Sequence, residues 1–151
     1  MSPETGASRL AAIGVAVELE SGNIPLLLHE LRHALEALLA DGKTHVVDLR
    51  AIPLAPGEED RLLQALGEGE LVAEFDAQGR SEIRECRYPG IWRVTHWNTA
   101  GELSGRYLEV TFAPSLLASQ PKDVRAGLDQ LSVLLHSGAS GSPEARANGH
   151  G

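Results

Sequence analysis

Cysteine and aromatic residues are both scarce in this chain. Its 151 residues include a single cysteine, Cys86, and aromatic residues account for 4% of the sequence. One cysteine forms no disulfide within the chain and builds no thiolate metal cluster by itself. A chain of this length buries a sizeable core without disulfides or metal. We therefore predict a single domain without a cofactor, in which Cys86 is a small buried residue rather than a reactive thiol.

Clustered positive charge and long apolar runs are also missing. The 13 Lys and Arg residues are scattered, and the formal net charge is −8. Nucleic acid and anionic lipid are recognised largely through clustered basic residues, so we expect neither as a partner. No run approaches the roughly 20 apolar residues of a membrane span. The opening MSPETGASRLAAIGVAVELE does not resemble a signal peptide, and we predict a cytoplasmic protein.

The two ends of the chain differ in composition from the rest. The stretch 137–151, SGASGSPEARANGHG, has almost nothing to bury and predicts a disordered tail. The segment 1–9 predicts a flexible N-terminus, and 10–136 predicts one α+β domain. Within it, IGVAVEL at 13–19 is either a short strand or a lead-in to the first helix.

Hydrophobic periodicity defines the order of elements between these ends. Apolar residues at helical spacing predict a helix over 24–40 that stops at Gly42. THVVDL at 44–49 predicts a buried strand, and EEDRLLQALGEG predicts a short helix stopped by Gly67 or Gly69. The period then changes to two in four segments separated by turn residues, at 70–76, 81–88, 91–98 and 106–112.

A last helix is predicted by one apolar stripe, which consists of Val124, Leu128, Leu131 and Leu135. The complete pattern predicts an α+β fold. A four-stranded antiparallel meander with one further strand forms the sheet, and about three helices pack on one face of it.

The stretch LLLHELRHALEALL contains His29, Glu30 and His33 in the order H-E-x-x-H. Two histidines four residues apart on a helix share one face and can hold one metal ion, with the glutamate as a general base. The extended form of the motif fails, because Glu36 and Leu39 stand where it has Gly and His. No third ligand is evident, and short motifs match by chance. A metal-binding protein or zinc-dependent hydrolase remains the alternative function.

Alternation along the last two strands predicts a surface. If Leu108 and Phe112 face the core, Tyr107 faces away from it. The neighbouring strand contains Trp92, Val94 and His96. If these residues also face inward, Arg93 and Trp97 of the same strand face the same outer side as Tyr107. Tryptophan, tyrosine and arginine are enriched in protein interfaces, so we predict that Arg93, Trp97 and Tyr107 bind a partner. The other interpretations are that another element covers this face or that Trp97 covers an edge.

Several strings together resemble one family. VVDLRAIPL, LGEGE, EIRECRYPGIWRV and GRYLEV, in this order within residues 24–118, resemble the C-terminal conserved region of the HupH/HyaF hydrogenase expression proteins. These are accessory proteins encoded with uptake nickel–iron hydrogenases. The H-E-x-x-H segment matches as part of the helix of that family.

The resemblance implies a non-catalytic, chaperone-like accessory protein in hydrogenase maturation, and not an enzyme. The implied partners are the precursor of the iron–sulfur small subunit or other maturation proteins. The family supplies no catalytic residues to carry over. A homodimer formed through an exposed strand edge and a permanent structural role in a larger assembly both remain open.

Overall fold

A computed structural model describes residues 22–139 of the chain. The predicted flexible segment 1–9 and the predicted strand or lead-in at 13–19 lie outside the described residues. The final helix continues to Ala139 and so includes the first residues of the predicted tail 137–151, the rest of which also lies outside.

The described elements follow the predicted order with small shifts at their ends. Two short 3-10 turns, Leu49–Ala51 and Ser115–Leu117, lie between them. The three helices and five strands are α1 (Asn23–Asp41), β1 (His45–Asp48), α2 (Glu58–Leu66), β2 (Val72–Asp76), β3 (Arg80–Glu85), β4 (Ile91–Trp97), β5 (Leu103–Val110) and α3 (Pro121–Ala139).

The five strands form one antiparallel sheet in the order β1-β5-β4-β3-β2. Strands β2 to β5 are the predicted meander, and β1 is the further strand, which pairs with β5. The sheet is open, with β1 and β2 at its edges. The predicted α+β class with its meander is confirmed.

Helices α1 and α2 pack on one face of this sheet, here called the helix face. Helix α1 buries Leu27 and Leu31, and α2 buries Leu62 and Leu66, in one cluster with Leu108 and other sheet residues. Helix α1 ends at Gly42 as predicted. This glycine has φ 68°, and its N–H donates to Leu38 O at 2.9 Å. Glycine adopts this left-handed conformation without steric cost, which terminates the helix.

The chain divides after Pro114 into two compact units. The first contains α1, α2 and the sheet, and the second contains α3. The predicted last helix is therefore present. Among residues 22–139, no helix combines the length and apolar character that crossing a bilayer requires.

The predicted assignment of strand faces is wrong in part. Leu108 pairs with Arg93 and Val110 pairs with Ile91, so these four residues share the helix face. Trp92 and Val94 lie on the opposite face, where they form a second buried cluster with Ile83. Phe112, predicted to face the core, is 68% exposed.

Strand β4 explains why alternation gave the wrong faces. Ile91, Trp92, Val94 and Thr95 are all buried, so β4 has no exposed side that would orient it. The faces of β4 follow instead from its pairing with β5, which includes a β-bulge between His96 and Trp97. A shift of one residue in register moves every side chain of a strand to the other face.

A charged cleft as the candidate functional site

A cleft of about 610 Å³ lies on the helix face, between α2 and strands β3, β4 and β5. We call it the charged cleft. Its lining includes Glu68, Arg80, Glu82, Arg93, Trp97 and Arg106. Polar side chains lie at this position because the helix-face residues of β3 and β4 are apolar at one end of the paired strands and charged at the other. Ile91 lies in the core under the helices, whereas Arg93, two residues later, lines the cleft.

Two arginines face each other across the strands that form this cleft. Arg84 of β3 is the cross-strand partner of Arg93 of β4, and their side chains are 25% and 18% exposed. Like charges directly opposite each other are destabilising in a sheet. Two carboxylates compensate. Glu82 Oε1 lies 3.3 Å from Arg84 Nε and 3.7 Å from Arg93 Nη2. Glu68 spans the same pair, at 3.5 Å from Arg84 Nη1 and 3.6 Å from Arg93 Nη2.

A guanidinium stacked on an indole forms another part of the cleft wall. Arg80 Cζ lies 4.5 Å from the centroid of the Trp97 ring, a cation–π geometry. Arg80 Nη2 also donates to Glu74 Oε1 at 2.8 Å and to Glu82 Oε2 at 3.3 Å. The hydrogen bond from Arg80 and its positive charge lower the pKa of Glu74. Arg80 and Trp97 also line a smaller cleft of about 370 Å³.

The turn between β2 and β3 fits closely against the end of β4. Gly79 in this turn has φ 126°, and a Cβ there would lie 2.2 Å from Trp97 O. Only glycine therefore permits this approach. The turn is also held by a hydrogen bond from Gly79 N to Asp76 Oδ1 at 3.1 Å. The sequence A-Q-G thus positions the backbone next to Trp97.

Arg106 of β5 connects the sheet to α2. Its Nη1 donates to Glu59 Oε1 at 3.2 Å. Its Nε is buried and has no hydrogen-bond partner in the described part of the chain. An unsatisfied buried donor costs about 1–3 kcal/mol, so this guanidinium is only partly compensated.

The structure brings two of the three predicted partner-binding residues together. Arg93 and Trp97 both line the charged cleft. Tyr107 pairs with Val94 and therefore lies on the opposite face, where its ring contacts His96 with centroids 6.0 Å apart. The prediction that all three form one outer surface is wrong, because alternation within each strand had assigned Tyr107 and Arg93 to the same face.

The sequence interpretation missed Glu68, Arg80, Glu82 and Arg106 of the cleft lining, and it also missed Arg84, the cross-strand partner of Arg93. The alternation in SEIRECRY does place Glu82 and Arg84 on one face of β3, which was a usable signal. Glu68 had no such signal, because LGEGE indicates only the end of a helix. Its role depends on a contact between the α2–β2 connection and two strands.

The H-E-x-x-H residues are engaged in separate surface contacts. Glu30 Oε1 lies 2.7 Å from His45 Nε2, and Glu36 Oε2 lies 3.6 Å from His33 Nδ1. His29 and His33 are both exposed. Within residues 22–139, no three side chains of His, Cys, Asp or Glu are grouped so as to hold a metal ion.

Cys86 lies in the core, 3% exposed, as predicted. Burial raises the pKa of its thiol to about 11. A thiol with a raised pKa is a poor nucleophile at neutral pH, because the thiolate is the reactive form.

Comparisons with known proteins agree on one class, the hydrogenase expression proteins. The family model described as "HupH hydrogenase expression protein, C-terminal conserved region" matches residues 22–137. The solved structure of the hydrogenase expression protein HupH from Thiobacillus denitrificans superposes with a TM-score of 0.74 at 35% identity. That match covers 78% of this chain and 98% of the other.

Longer relatives match over only part of their length. The hydrogenase expression/formation protein HupQ of Azotobacter chroococcum is 30% identical over 111 residues, which are 73% of this chain and 39% of that protein. HoxQ of Cupriavidus necator is 26% identical over 113 residues, which are 75% of this chain and 40% of that protein. The chain belongs to the HupH hydrogenase expression protein family, of which it carries the C-terminal conserved region.

Proposed function

We propose that this chain is an accessory protein of nickel–iron hydrogenase maturation that works by protein–protein contact through the charged cleft. Membership of the hydrogenase expression protein family supports a role in hydrogenase maturation. The chain corresponds to about 40% of the HoxQ relative, so the role of that whole protein is proposed here for the part that this chain represents.

The observation that carries the contact mechanism is the composition of the cleft. It presents Trp97 and several arginines, the residue types that dominate binding energy in protein interfaces. Its carboxylates and guanidiniums pair mainly with one another, so the surface is suited to exchange ion pairs with another protein. The partner we propose is the small-subunit precursor, held competent until its iron–sulfur clusters and the large subunit are in place.

Affinity capture from cells that express a nickel–iron hydrogenase tests this function. Wild-type protein is expected to recover the small-subunit precursor or another maturation protein in preference to the finished enzyme. Trp97→Ala and Arg93→Gln are each expected to reduce that recovery on the order of tenfold, the effect of removing an interface anchor.

Two control variants make the result specific for the cleft. Arg32→Gln removes another ion-paired arginine, on the exposed side of α1, and is expected to leave recovery unchanged. Tyr107→Phe tests the predicted residue on the opposite face and is also expected to be neutral. Equal recovery with Trp97→Ala would exclude the cleft as the contact surface. Recovery of the finished enzyme alone would instead indicate a permanent subunit, and recovery of no hydrogenase protein would refute the proposed function.

A further inference from the structure

Glu68 differs from the other carboxylates around the two facing arginines. It comes from the connection between α2 and β2, whereas Glu82 belongs to β3 itself. The Glu68 side chain is 61% exposed and that of Glu82 is 12% exposed. Its oxygens lie 3.5 and 3.6 Å from the guanidinium nitrogens, and charge-assisted hydrogen bonds are typically about 2.7–2.9 Å long. Glu68 is therefore loosely held, and exposed ion pairs of this kind contribute little to stability.

The backbone on both sides of Glu68 is nevertheless tightly fitted against the end of β3. Gly69 N donates to Glu85 O at 2.7 Å, and a Cβ on Gly69 would lie 2.7 Å from Cys86 O. Gly67 has φ 65°, and a Cβ there would lie 3.0 Å from Arg87 Nε. The two glycines permit this close approach, and backbone hydrogen bonds from Gly69 N to Glu85 O and from Arg87 N to Leu66 O hold the main chain there. Only the Glu68 side chain therefore has to move to leave the arginines.

Removing Glu68 would change the charge balance at this position. Arg84 and Arg93 would then share Glu82 alone, and Glu82 also contacts Arg80 at 3.3 Å. Three guanidiniums would then be balanced by only two carboxylates, Glu82 and the exposed Glu74, and the remaining positive charge would attract an anion. The cleft of about 610 Å³ has room for one, next to Trp97.

We propose that an acidic side chain of the protein partner binds to Arg84 and Arg93 in place of Glu68. Glu68 occupies this position in the chain alone and is displaced when the partner binds. This inference rests on the proposed function and names the chemistry of its partner, a segment with exposed Asp or Glu. We expect an acidic side chain and not a terminal carboxylate, because the group now bound at this position is the side chain of Glu68, a residue within a continuous segment of main chain.

Purified protein and fluorescein-labelled peptide probes test the inference by fluorescence anisotropy. The first probe alternates serine and glutamate and has an amidated C-terminus, and the second has glutamine in place of glutamate. The third has serine and glutamine with a free terminal carboxylate. The glutamate probe is expected to bind, more weakly as salt is added, and the glutamine probe is not.

The decisive variant is Glu68→Gln, which is expected to tighten binding of the glutamate probe by about threefold to fivefold, because a competing ion pair is removed. Glu36→Gln is the matched control. Glu36 is also ion-paired with an arginine and 58% exposed, and its replacement is expected to have no effect. The double variant Arg84→Gln with Arg93→Gln is expected to abolish binding. Because the Glu68 result is a gain of affinity, a folding defect cannot produce it.

Three outcomes would overturn the inference. They are unchanged affinity in Glu68→Gln, equal binding of the glutamine probe, and tighter binding of the probe with the free terminal carboxylate. No hydrogenase component is present in this measurement, so its result does not depend on whether the proposed function is correct. Capture of hydrogenase proteins with no effect of Glu68→Gln would refute only the inference, and probe binding without such capture would refute only the function.

Discussion

Glu74 and Glu82 show how the environment of a single residue determines its role. Both carboxylates contact Arg80, yet Glu74 is 55% exposed at the sheet edge and Glu82 is 12% exposed beneath the arginines. In the sequence alone, the two glutamates look equivalent, as two independent exposed side chains. In the structure Glu82 contacts three guanidiniums, so its removal would leave partly buried positive charge at Arg84 and Arg93.

The buried thiol of Cys86 is expected to make the stability of the fold depend on pH. Its folded pKa is raised to about 11 from an ordinary value of 9.0, so the folded protein keeps the thiol proton where the unfolded chain loses it. This contribution to stability is complete below pH 9 and is lost as the pH rises through about 11. The free energy of unfolding is expected to fall across this window by at most roughly 3 kcal/mol.

Urea denaturation at pH 8 and at pH 10.5 measures this loss for the wild type and for Cys86→Ala. All other groups are the same in both proteins, so the difference between the two pH dependences isolates the thiol. A Cys86→Ala variant that loses as much stability on alkalinisation as the wild type would contradict the assigned burial effect.

At the scale of elements, α1 shows how well local pattern predicts structure. The predicted helix 24–40 and the observed Asn23–Asp41 agree because apolar spacing and Gly42 act within a few residues. The faces of β4 and β5 did not follow from alternation. Their register depends on the connection between them and on a bulge, and neither leaves a periodic signal in the sequence.

Leu31 and Leu39 provide a prediction on this helix. Leu31 is 1% exposed and Leu39 is 79% exposed. Leu31→Ala is expected to lower the free energy of unfolding by about 2–5 kcal/mol, because it removes buried contacts and leaves a cavity. Leu39→Ala, the same chemical change on the exposed side, is expected to alter it by less than about 0.5 kcal/mol. Equal effects in thermal or urea unfolding would show that α1 does not bury the assigned face.

At the scale of the whole molecule, two features pointed to different functions. The H-E-x-x-H motif suggested metal chemistry, whereas four strings spread over residues 24–118 suggested a hydrogenase expression protein. The matched family model and the superposed structure agree with the second. Local spacing of two histidines places them on one helix, but a metal site also needs ligands from elsewhere in the fold.

Metal analysis provides a prediction for the molecule as a whole. Glu30 is engaged with His45 and His33 with Glu36, so we expect protein purified without a histidine tag to hold less than about a tenth of an equivalent of zinc, nickel or iron. Elemental analysis of the wild type and of His33→Ala measures it. A stoichiometric ion in the wild type that is lost in His33→Ala would favour the metal-binding alternative.

Local spacing and strings of adjacent residues were sufficient to predict the helices and strands of residues 22–139, the burial of Cys86 and the family. Alternation also placed Arg93 and Trp97 on the same face of β4. The folded sheet was needed to show that Tyr107 lies on the other face and that Arg84, Arg93 and Glu68 meet. Those relations depend on strand register and on the contact of Glu68, in the α2–β2 connection, with residues of two strands, and neither is encoded in the periodicity of any one segment.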